Sequence, residues 1–333
     1  MTERAGGTQA GHSEGESKLT VLAALVANLA IAAGKLIAGV ISGSAALLAE
    51  AGHSLADTVN QVFLLIGINL SHTTADDKHP HGYGKEAFFW SFLAAIFIFA
   101  AGATFSFYEG IRTFVEQHQH DRSASELGIA YGVLVMAIVF ESASFTVAVR
   151  GLLSGAKRKG WGIVRFIREA PDVTIKTVFF EDSAALLGLQ IAITGLTLSE
   201  VTGSENWDAA ASVSIGIVLA GVALMLGSQS RSLLLGAAAS PETREALNRV
   251  VGSFPEVLSV PRMLSMQLGS NSVLVTGELC VKRGMSTDEI EDLIVRIDDK
   301  ISAEIPEVSE TFWELRLADG VTPGKPEKRP AES

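Results

Sequence analysis

With 48% hydrophobic and only 19% charged residues, the 333-residue chain is too apolar for a set of soluble domains, so its composition predicts membrane-spanning segments. The formal net charge of -11 lies mostly after about residue 238 and in the tails, and it argues against a nucleic-acid partner. Cys280 is the only cysteine, which excludes an internal disulfide and a cysteine-based zinc cluster.

The N-terminal residues divide into a polar tail and a first apolar segment. Residues 1–17 are rich in Gly, Ser, Thr and Glu and lack an apolar run, so they predict a disordered tail rather than a signal peptide. The segment from about Leu19 to Ile41 is rich in small residues, which favours a membrane helix packed closely against others. Lys35 is its one charge, and because it lies near one end we expect it to snorkel and assign it no chemistry.

The second apolar segment, Ala45 to Ile68, carries a polar stripe. Four polar residues at helical spacing share one face of the predicted helix: Glu50, His53, Asp57 and Asn60. Ionisable groups in hydrocarbon are costly and normally face the interior of a helix bundle, where they mark an ion or proton path. The alternative is that His53 and Asp57 only hydrogen-bond a neighbouring helix, although Ser, Thr and Asn usually fill that role.

Four further apolar spans follow a polar loop from Ser71 to Ala87, which no bilayer core would accept. These spans lie near Phe88–Ile111, Leu127–Leu153, Val173–Leu198 and Asp208–Leu226. The sequence therefore predicts six membrane crossings in a domain covering residues 18–235. Two of the spans carry acidic residues, Glu141 in the fourth and Glu181 with Asp182 in the fifth.

Basic residues predict the orientation of the helices. The stretch Leu198–Trp207 contains neither Lys nor Arg, whereas the loop between the fourth and fifth spans contains Arg150, Lys157, Arg158, Lys159, Arg165 and Arg168. Loops rich in Lys and Arg stay in the cytosol, so we expect this loop, both termini and everything after the sixth span on the cytosolic side. We therefore expect an integral, multi-pass protein of the bacterial inner membrane.

The sequence predicts a soluble αββαβ domain at residues 236–319 and a disordered tail at residues 320–333. The domain is expected to form a small ferredoxin-like sheet with two helices on one face. It contains no histidine, so we expect it to dimerise rather than bind metal. The predicted elements are a helix at Thr243–Phe254, strands at Val257–Leu268 and Val273–Val281, a helix opened by a Ser286/Glu289 capping box, and a strand at Phe312–Leu317.

Together these features resemble the cation diffusion facilitator family. The resemblance rests on SAALLAEAGHSLAD (Ser44–Asp57), DDKHPHGYGKE (Asp76–Glu86) and FEDSAALLG (Phe180–Gly188). It covers about Lys18 to Leu317 and implies a homodimeric transporter that moves zinc or related divalent ions out of the cytosol in exchange for protons. FEDSAALLG and WDAAASV (Trp207–Val213) are most similar to the branch that contains zinc transporter nine.

The resemblance also implies metal ligands. His53, Asp57 and Asp182 match ligand positions of the family. The fifth helix of the family usually carries HxxxD or DxxxD, but Val178 stands at the first of these positions and cannot coordinate a metal. The site is therefore one protein ligand short of the family pattern.

The sequence leaves open which group is the fourth ligand and whether the loop after the second span holds a second metal site. Glu181, Glu50 or water could complete the sphere, and Glu181 lies about 100° around the helix from its acidic neighbour, which makes it a weak ligand. Asp76 and His79 occupy positions of a surface metal site found in some relatives. Tyr83 stands where that site has histidine, and loop His and Asp residues are more often merely solvated.

Ligand chemistry leads to a predicted function. One imidazole with two or three carboxylates suits Zn²⁺, with Fe²⁺, Co²⁺ or Mn²⁺ as alternatives. These ligands must be deprotonated to bind a cation, so His53 and Asp57 are predicted to couple metal movement to protons. We therefore predict a secondary active transporter without enzyme activity or cofactor, whose partners are the ion, protons, lipid and a second copy. The rival classes are a non-transporting scaffold and an intramembrane metalloenzyme, although no GxSxG or HExxH motif accompanies the site.

Overall fold

The computed structural model describes residues 10–116, 122–169 and 173–316. They form two compact units. The first contains the described residues up to Asn69, Phe89–Phe166 and Val173–Arg231, and the second contains chiefly Leu70–Phe88 and the residues from Ser232 onward. The predicted tail at 320–333 and residues 1–9 of the predicted N-terminal tail lie outside the described residues.

Helices make up the first unit. Helix α1 spans Ala10–Ser42, α2 Ala45–Ser71, α3 Glu86–Phe97, a π-helical turn Ile98–Ala103, α4 Thr104–Glu116, α5 Ala124–Lys159, α6 Ile163–Glu169, α7 Val173–Thr202 and α8 Asn206–Leu234. Within the described ranges, four stretches are long and apolar enough to cross a membrane: Glu86–Glu116, Ala124–Arg158, Val178–Thr202 and Asn206–Leu234. Helix α1 adds a shorter apolar stretch at Asn28–Ser42, and the 27-residue α2 carries the polar stripe.

The first unit differs from the sequence prediction in two respects. Helix α1 begins at Ala10, so residues 10–17 are helical and not a disordered tail. Extending an existing helix is far easier than nucleating one, and the apolar part of α1 supplies the nucleus. The basic loop between α5 and α7 also contains the short helix α6, which the sequence analysis did not predict.

Glycines allow the membrane helices to approach closely. A Cβ atom at Gly195 of α7 would lie 2.3 Å from the Cβ of Ala211 on α8, and one at Gly110 of α4 would lie 2.9 Å from the carbonyl oxygen of Ala209. Small residues at such crossings bring the helix backbones into van der Waals contact, which stabilises helix pairs in lipid. Helix α8 is therefore packed against both α4 and α7.

A buried arginine joins five helix ends. Arg122, just before α5, has a side chain that is 1% exposed. Its guanidinium donates to the carbonyl oxygen of Ser42 at 2.6 Å and to the carboxylates of Glu200 and Glu205, each at 2.8 Å. Asp208 on α8 lies 3.9 Å away and accepts hydrogen bonds from the Ser44 hydroxyl and from the backbone N–H at the start of α2. We call this group the Arg122 cluster.

The second unit confirms the predicted αββαβ order. Helix α9 spans Pro241–Val251, strand β1 Val257–Gly269, β2 Ser272–Val281, helix α10 Thr287–Glu304 and β3 Val308–Arg316. Strand β2 lies between β1, to which it is antiparallel, and β3, to which it is parallel. The capping box of Ser286 and Glu289 is present as predicted, and Ser240 caps α9. Strand β3 begins at Val308 rather than Phe312, because Val308 already pairs with Val273.

The helices cover one face of this sheet. Alternate residues of β2, among them Val275 and Leu279, are fully buried against apolar side chains of α9 and α10. Gly277 belongs to the same face, and a Cβ there would lie 2.5 Å from the Trp313 ring, whose N–H donates to Asp298 of α10. Cys280 is also fully buried on β2.

The opposite face of the sheet is open. Leu264, Thr276 and Phe312 stand side by side across the three strands, and Leu264 and Phe312 are 49% and 55% exposed. A neighbouring row consists of Arg262, Glu278 and Glu314. Thus an apolar row and a charged row lie next to each other on the face that α9 and α10 leave uncovered.

Candidate metal centre

Two predicted ligands meet on α2. The Nε2 atom of His53 lies 3.4 Å from the Oδ2 atom of Asp57, as the one-turn spacing predicts, and these side chains are 2% and 16% exposed. Neither ring nitrogen of His53 nor the Oδ1 atom of Asp57 has a hydrogen-bond partner in the part of the chain that the structure describes. Buried polar atoms are nearly always hydrogen-bonded, so these atoms are suited to receive a ligand.

The two acidic residues of α7 have different partners. Glu181 accepts a short hydrogen bond from the side-chain amide of Asn60, which belongs to the polar stripe of α2. Asp182 accepts one from the Ser144 hydroxyl on α5 at 2.9 Å. This divergence follows from the rotation of about 100° between successive helical residues. Glu181, ranked as a weak ligand from sequence, is therefore directly connected to the helix of His53 and Asp57.

Acidic groups from three helices are close enough to interact electrostatically. Asp57 interacts with Glu181, Glu141 and Asp182, and Glu181 interacts with the last two as well. Glu141 and Ser144 lie on α5, so α2, α5 and α7 all contribute polar groups to this region. Such a set of buried and partly buried carboxylates requires cations or protons to offset its charge.

The sequence expectation for Lys35 is wrong. Its side chain is fully buried, and its ammonium donates to the Oε2 atom of Glu50 at 3.0 Å and to the Ser54 hydroxyl at 2.8 Å. Lys35 lies on the face of α1 that contacts α2, where a carboxylate can pair with it inside the protein, so it does not reach the interface. This ion pair occupies one oxygen of Glu50, which was one of the candidates for the fourth ligand.

Glu50 also contacts α7. Its Oε1 atom lies 2.1 Å from the position that a Cβ atom would take at Gly188, so only glycine leaves room for the carboxylate there. Gly188 lies two helical turns beyond Glu181 on the same helix. The Lys35–Glu50 pair is therefore enclosed by α1, α2 and α7.

The predicted ligands do not converge on one point. Among the described residues, no group of three or more His, Cys, Asp or Glu side chains is arranged to hold a metal ion. Asn60 and Ser144 hold Glu181 and Asp182 in place by hydrogen bonds, whereas His53 and Asp57 face each other. Val178 is only partly buried on α7 and offers no donor atom. Metal binding at this site would therefore require the ligand side chains of α2 and α7 to move closer together.

The second predicted site lies in the loop after α2. Asp76 accepts hydrogen bonds from the backbone N–H groups of His79, at 2.7 Å, and Lys78, and from the Tyr83 hydroxyl at 2.9 Å. The backbone hydrogen bond from His79, followed by that from Tyr83, lowers the pKa of Asp76, and the same contact raises the pKa of Tyr83. Both carboxylate oxygens are therefore engaged in shaping the loop, and metal binding by Asp76 and His79 stays a prediction.

The same loop packs on the C-terminal sheet. The Nδ1 atom of His81 lies 2.6 Å from a carboxylate oxygen of Glu310 on β3. Gly84 approaches β1 so closely that a Cβ there would lie 2.6 Å from the carbonyl oxygen of Leu268. These contacts assign the loop to the second compact unit.

Sequence reasoning missed three residues that shape the centre. Asn60 was seen as part of the stripe but not as the partner of Glu181, Ser144 was not connected to Asp182, and Lys35 was set aside. The available signal was their polarity inside apolar spans, which marks bundle interiors. Which helix each would face depends on tertiary packing.

Comparison with known proteins identifies related chains. The family profile "Cation efflux transmembrane domain" matches residues 21–235. The "Proton-coupled zinc antiporter SLC30A9, mitochondrial" of Homo sapiens is 31% identical over 281 residues, which cover 84% of this chain and 49% of the relative. The "Manganese efflux system protein MneP" of Bacillus subtilis is 23% identical over 302 residues, covering 89% and 94%. "Metal tolerance protein C4" of Arabidopsis thaliana is 33% identical over 197 residues, covering 59% and 42%. The chain thus spans about half the length of the human relative.

Proposed function

The chain belongs to the cation efflux family, and we propose that it exports a divalent transition-metal cation, most favourably Zn²⁺, from the cytosol in exchange for protons. The metal is the cargo, and the proposed transporter needs no cofactor. The human relative, which is named as a proton-coupled zinc antiporter, supports both the ion and the proton coupling. The names of the relatives, which are antiporters and efflux proteins, disfavour the intramembrane metalloenzyme and the scaffold.

The observation that carries the proposal is the buried His53–Asp57 pair with its unpartnered donor atoms. Together with Asp182 it supplies one imidazole and two carboxylates, a donor set that Zn²⁺ accepts in a four-coordinate site. Glu181 is our choice for the fourth ligand, because Asn60 holds it against α2 whereas Lys35 occupies Glu50.

Exchange with protons follows from the charge in the site. Several carboxylates lie near one another in the helical unit, and either a metal ion or protons can neutralise them. We assign His53 and Asp57 as the groups that alternate between metal and protons. A proton entering from the far side then favours release of the metal there.

The proposal includes a topology. We propose six membrane segments, formed by α1, α2, α3 with α4, α5, α7 and α8, with both termini and the basic segment around α6 in the cytosol. The C-terminal domain, residues 236–319, dimerises and binds no metal. We propose a bacterial cell membrane as the location of the protein, since one relative, MneP, is a bacterial protein.

Manganese is the second candidate ion. The relative from Bacillus subtilis, which this chain matches over nearly its whole length, is named a manganese efflux protein. A site with one imidazole and several carboxylates also accepts Mn²⁺. Transport of Zn²⁺ and of Mn²⁺ should therefore be measured in the same experiment.

Metal uptake into everted membrane vesicles with an imposed proton gradient tests the proposal. A His53→Ala/Asp57→Ala variant should lose zinc uptake to background, because two donors and the proposed proton carriers are gone. The matched control is His72→Ala/Asp77→Ala, which removes an exposed His and Asp from the loop after α2 and should keep normal flux. Normal zinc and manganese flux in a folded His53→Ala/Asp57→Ala protein would refute the assignment.

A further inference from the structure

We propose that Lys35 determines the ion specificity of the centre by withholding Glu50 from the transported ion. The inference rests on the proposed function and adds a residue that contacts no metal itself. Lys35 is expected to favour Zn²⁺ over Mn²⁺ because it keeps an additional carboxylate out of the coordination sphere.

The position of the ammonium is the first support. Lys35 is fully buried on α1, and its two acceptors, Glu50 and Ser54, both lie on α2. Ser54 is the residue next to His53, and Glu50 precedes His53 by three positions, which places it on the same face of the helix. The positive charge therefore lies beside the polar stripe that holds the proposed ligands.

The orientation of Glu50 is the second support. One oxygen pairs with Lys35, and the other is buried without a hydrogen-bond partner among the described residues, facing the backbone of α7 at Gly188. The same α7 carries Glu181 and Asp182. Glu50 thus stands between the two helices that supply the proposed ligands, and the ion pair with Lys35 restrains its carboxylate.

Coordination chemistry explains how this restraint on Glu50 would favour Zn²⁺ over Mn²⁺. With Glu50 withheld, the centre offers His53, Asp57, Asp182 and Glu181, and four donors including an imidazole suit tetrahedral Zn²⁺. Mn²⁺ favours octahedral coordination rich in oxygen. A released Glu50 would add oxygen donors, so loss of the ammonium should improve the site for Mn²⁺ more than for Zn²⁺.

The competing explanation is that Lys35 and Glu50 form a structural ion pair only. Removing one member of a buried pair is strongly destabilising, because it leaves an uncompensated charge. A structural role would lower the amount of folded protein and the transport of both ions together. A specificity role changes the ratio of kcat/KM for the two ions.

The experiment compares zinc and manganese uptake into everted vesicles for three variants of the full chain. Lys35→Met should raise the Mn²⁺-to-Zn²⁺ ratio of kcat/KM about tenfold. Lys35→Met/Glu50→Gln lacks both charges and should return the ratio to within about twofold of the unaltered protein. Lys78→Met, which removes an exposed loop lysine, is the control for a lost positive charge.

Two results would overturn the inference. One is an unchanged ratio in folded Lys35→Met. The other is a rise in zinc KM in Lys35→Met/Glu50→Gln that is as large as the rise in Glu181→Gln, because it would make Glu50 a ligand in the native protein. This second variant remains informative if Lys35→Met fails to fold. Failure of the proposed function is recognised separately, because His53→Ala/Asp57→Ala would then retain flux.

Discussion

Position 178 on α7 carries a valine one helical turn before Asp182, where a ligand would share the same face. We predict that Val178→His tightens zinc binding and lowers the zinc KM about tenfold, because an imidazole completes the coordination sphere. Selectivity over manganese should rise and turnover should fall, since a tighter site releases its ion more slowly. Zinc and manganese uptake at several metal concentrations would measure both effects.

A control on the same helix separates coordination from a general effect of histidine. Val201 is 78% exposed near the end of α7, and Val201→His should leave the zinc KM unchanged. If Val178→His behaves like this control, position 178 does not face the ion. In that case water or Glu181 would complete the sphere without it.

The centre shows what can be predicted for single residues from the sequence. The spacing of His53 and Asp57 fixes their contact, because both lie on one helix. The partners of Lys35 and Asp182 lie on other helices, and helical spacing gives no information about which helices are neighbours. This is why Lys35 was expected at the interface although it is buried against Glu50.

At the level of helices, the Arg122 cluster joins the end of α1, the beginnings of α2, α5 and α8, and the end of α7. Asp208 accepts from the first N–H of α2, which otherwise has no partner within its helix. The cluster fixes the beginning of α2 and the end of α7 relative to one another on one side of the bundle. Arg122 and Asp208 are removed from water, so the charged members of the cluster depend on each other.

We predict that Arg122→Ala destabilises the protein by about 3 kcal/mol, because it leaves Glu200, Glu205 and Asp208 without their shared cation. A thermal melt in detergent would show the loss as a lower Tm. Arg112 is the control, because its ion pair with Glu116 at 3.1 Å is half exposed, and Arg112→Ala should change stability by less than about 1 kcal/mol. Equal melting temperatures for both variants would contradict a stabilising role of the Arg122 cluster.

For the molecule as a whole, we predict that the open face of the C-terminal sheet forms the contact of the proposed dimer. Leu264 and Phe312 are large apolar side chains exposed side by side, next to a row that contains Arg262 and Glu278. Such a surface is suited to bury its apolar row against an identical one.

We predict that Phe312→Glu shifts the detergent-solubilised protein from dimer to monomer, because it places a charge in the apolar contact. Light scattering coupled to size exclusion would report the mass. Val295→Glu provides the control, since Val295 is 52% exposed on α10, on the other side of the domain. A dimer that persists in Phe312→Glu would exclude this face as the contact.

The architecture of each unit was predictable to different degrees. Alternation of apolar residues and capping signals were sufficient for the αββαβ order, because these patterns are local. The start of β3 depends on its pairing with Val273, a contact distant in sequence, and was placed too late. The start of α1 was placed too late as well, since polar residues can extend a helix that an apolar segment has nucleated.

Cys280 gives the chain a practical property. It is the only thiol, and it is fully buried on β2. A thiol shielded in this way reacts slowly with maleimides, so a cysteine introduced on the surface would carry nearly all of an attached dye or spin label. Labelling of Arg158→Cys and Thr202→Cys, both exposed, in intact cells would then test the proposed topology without removal of the native residue.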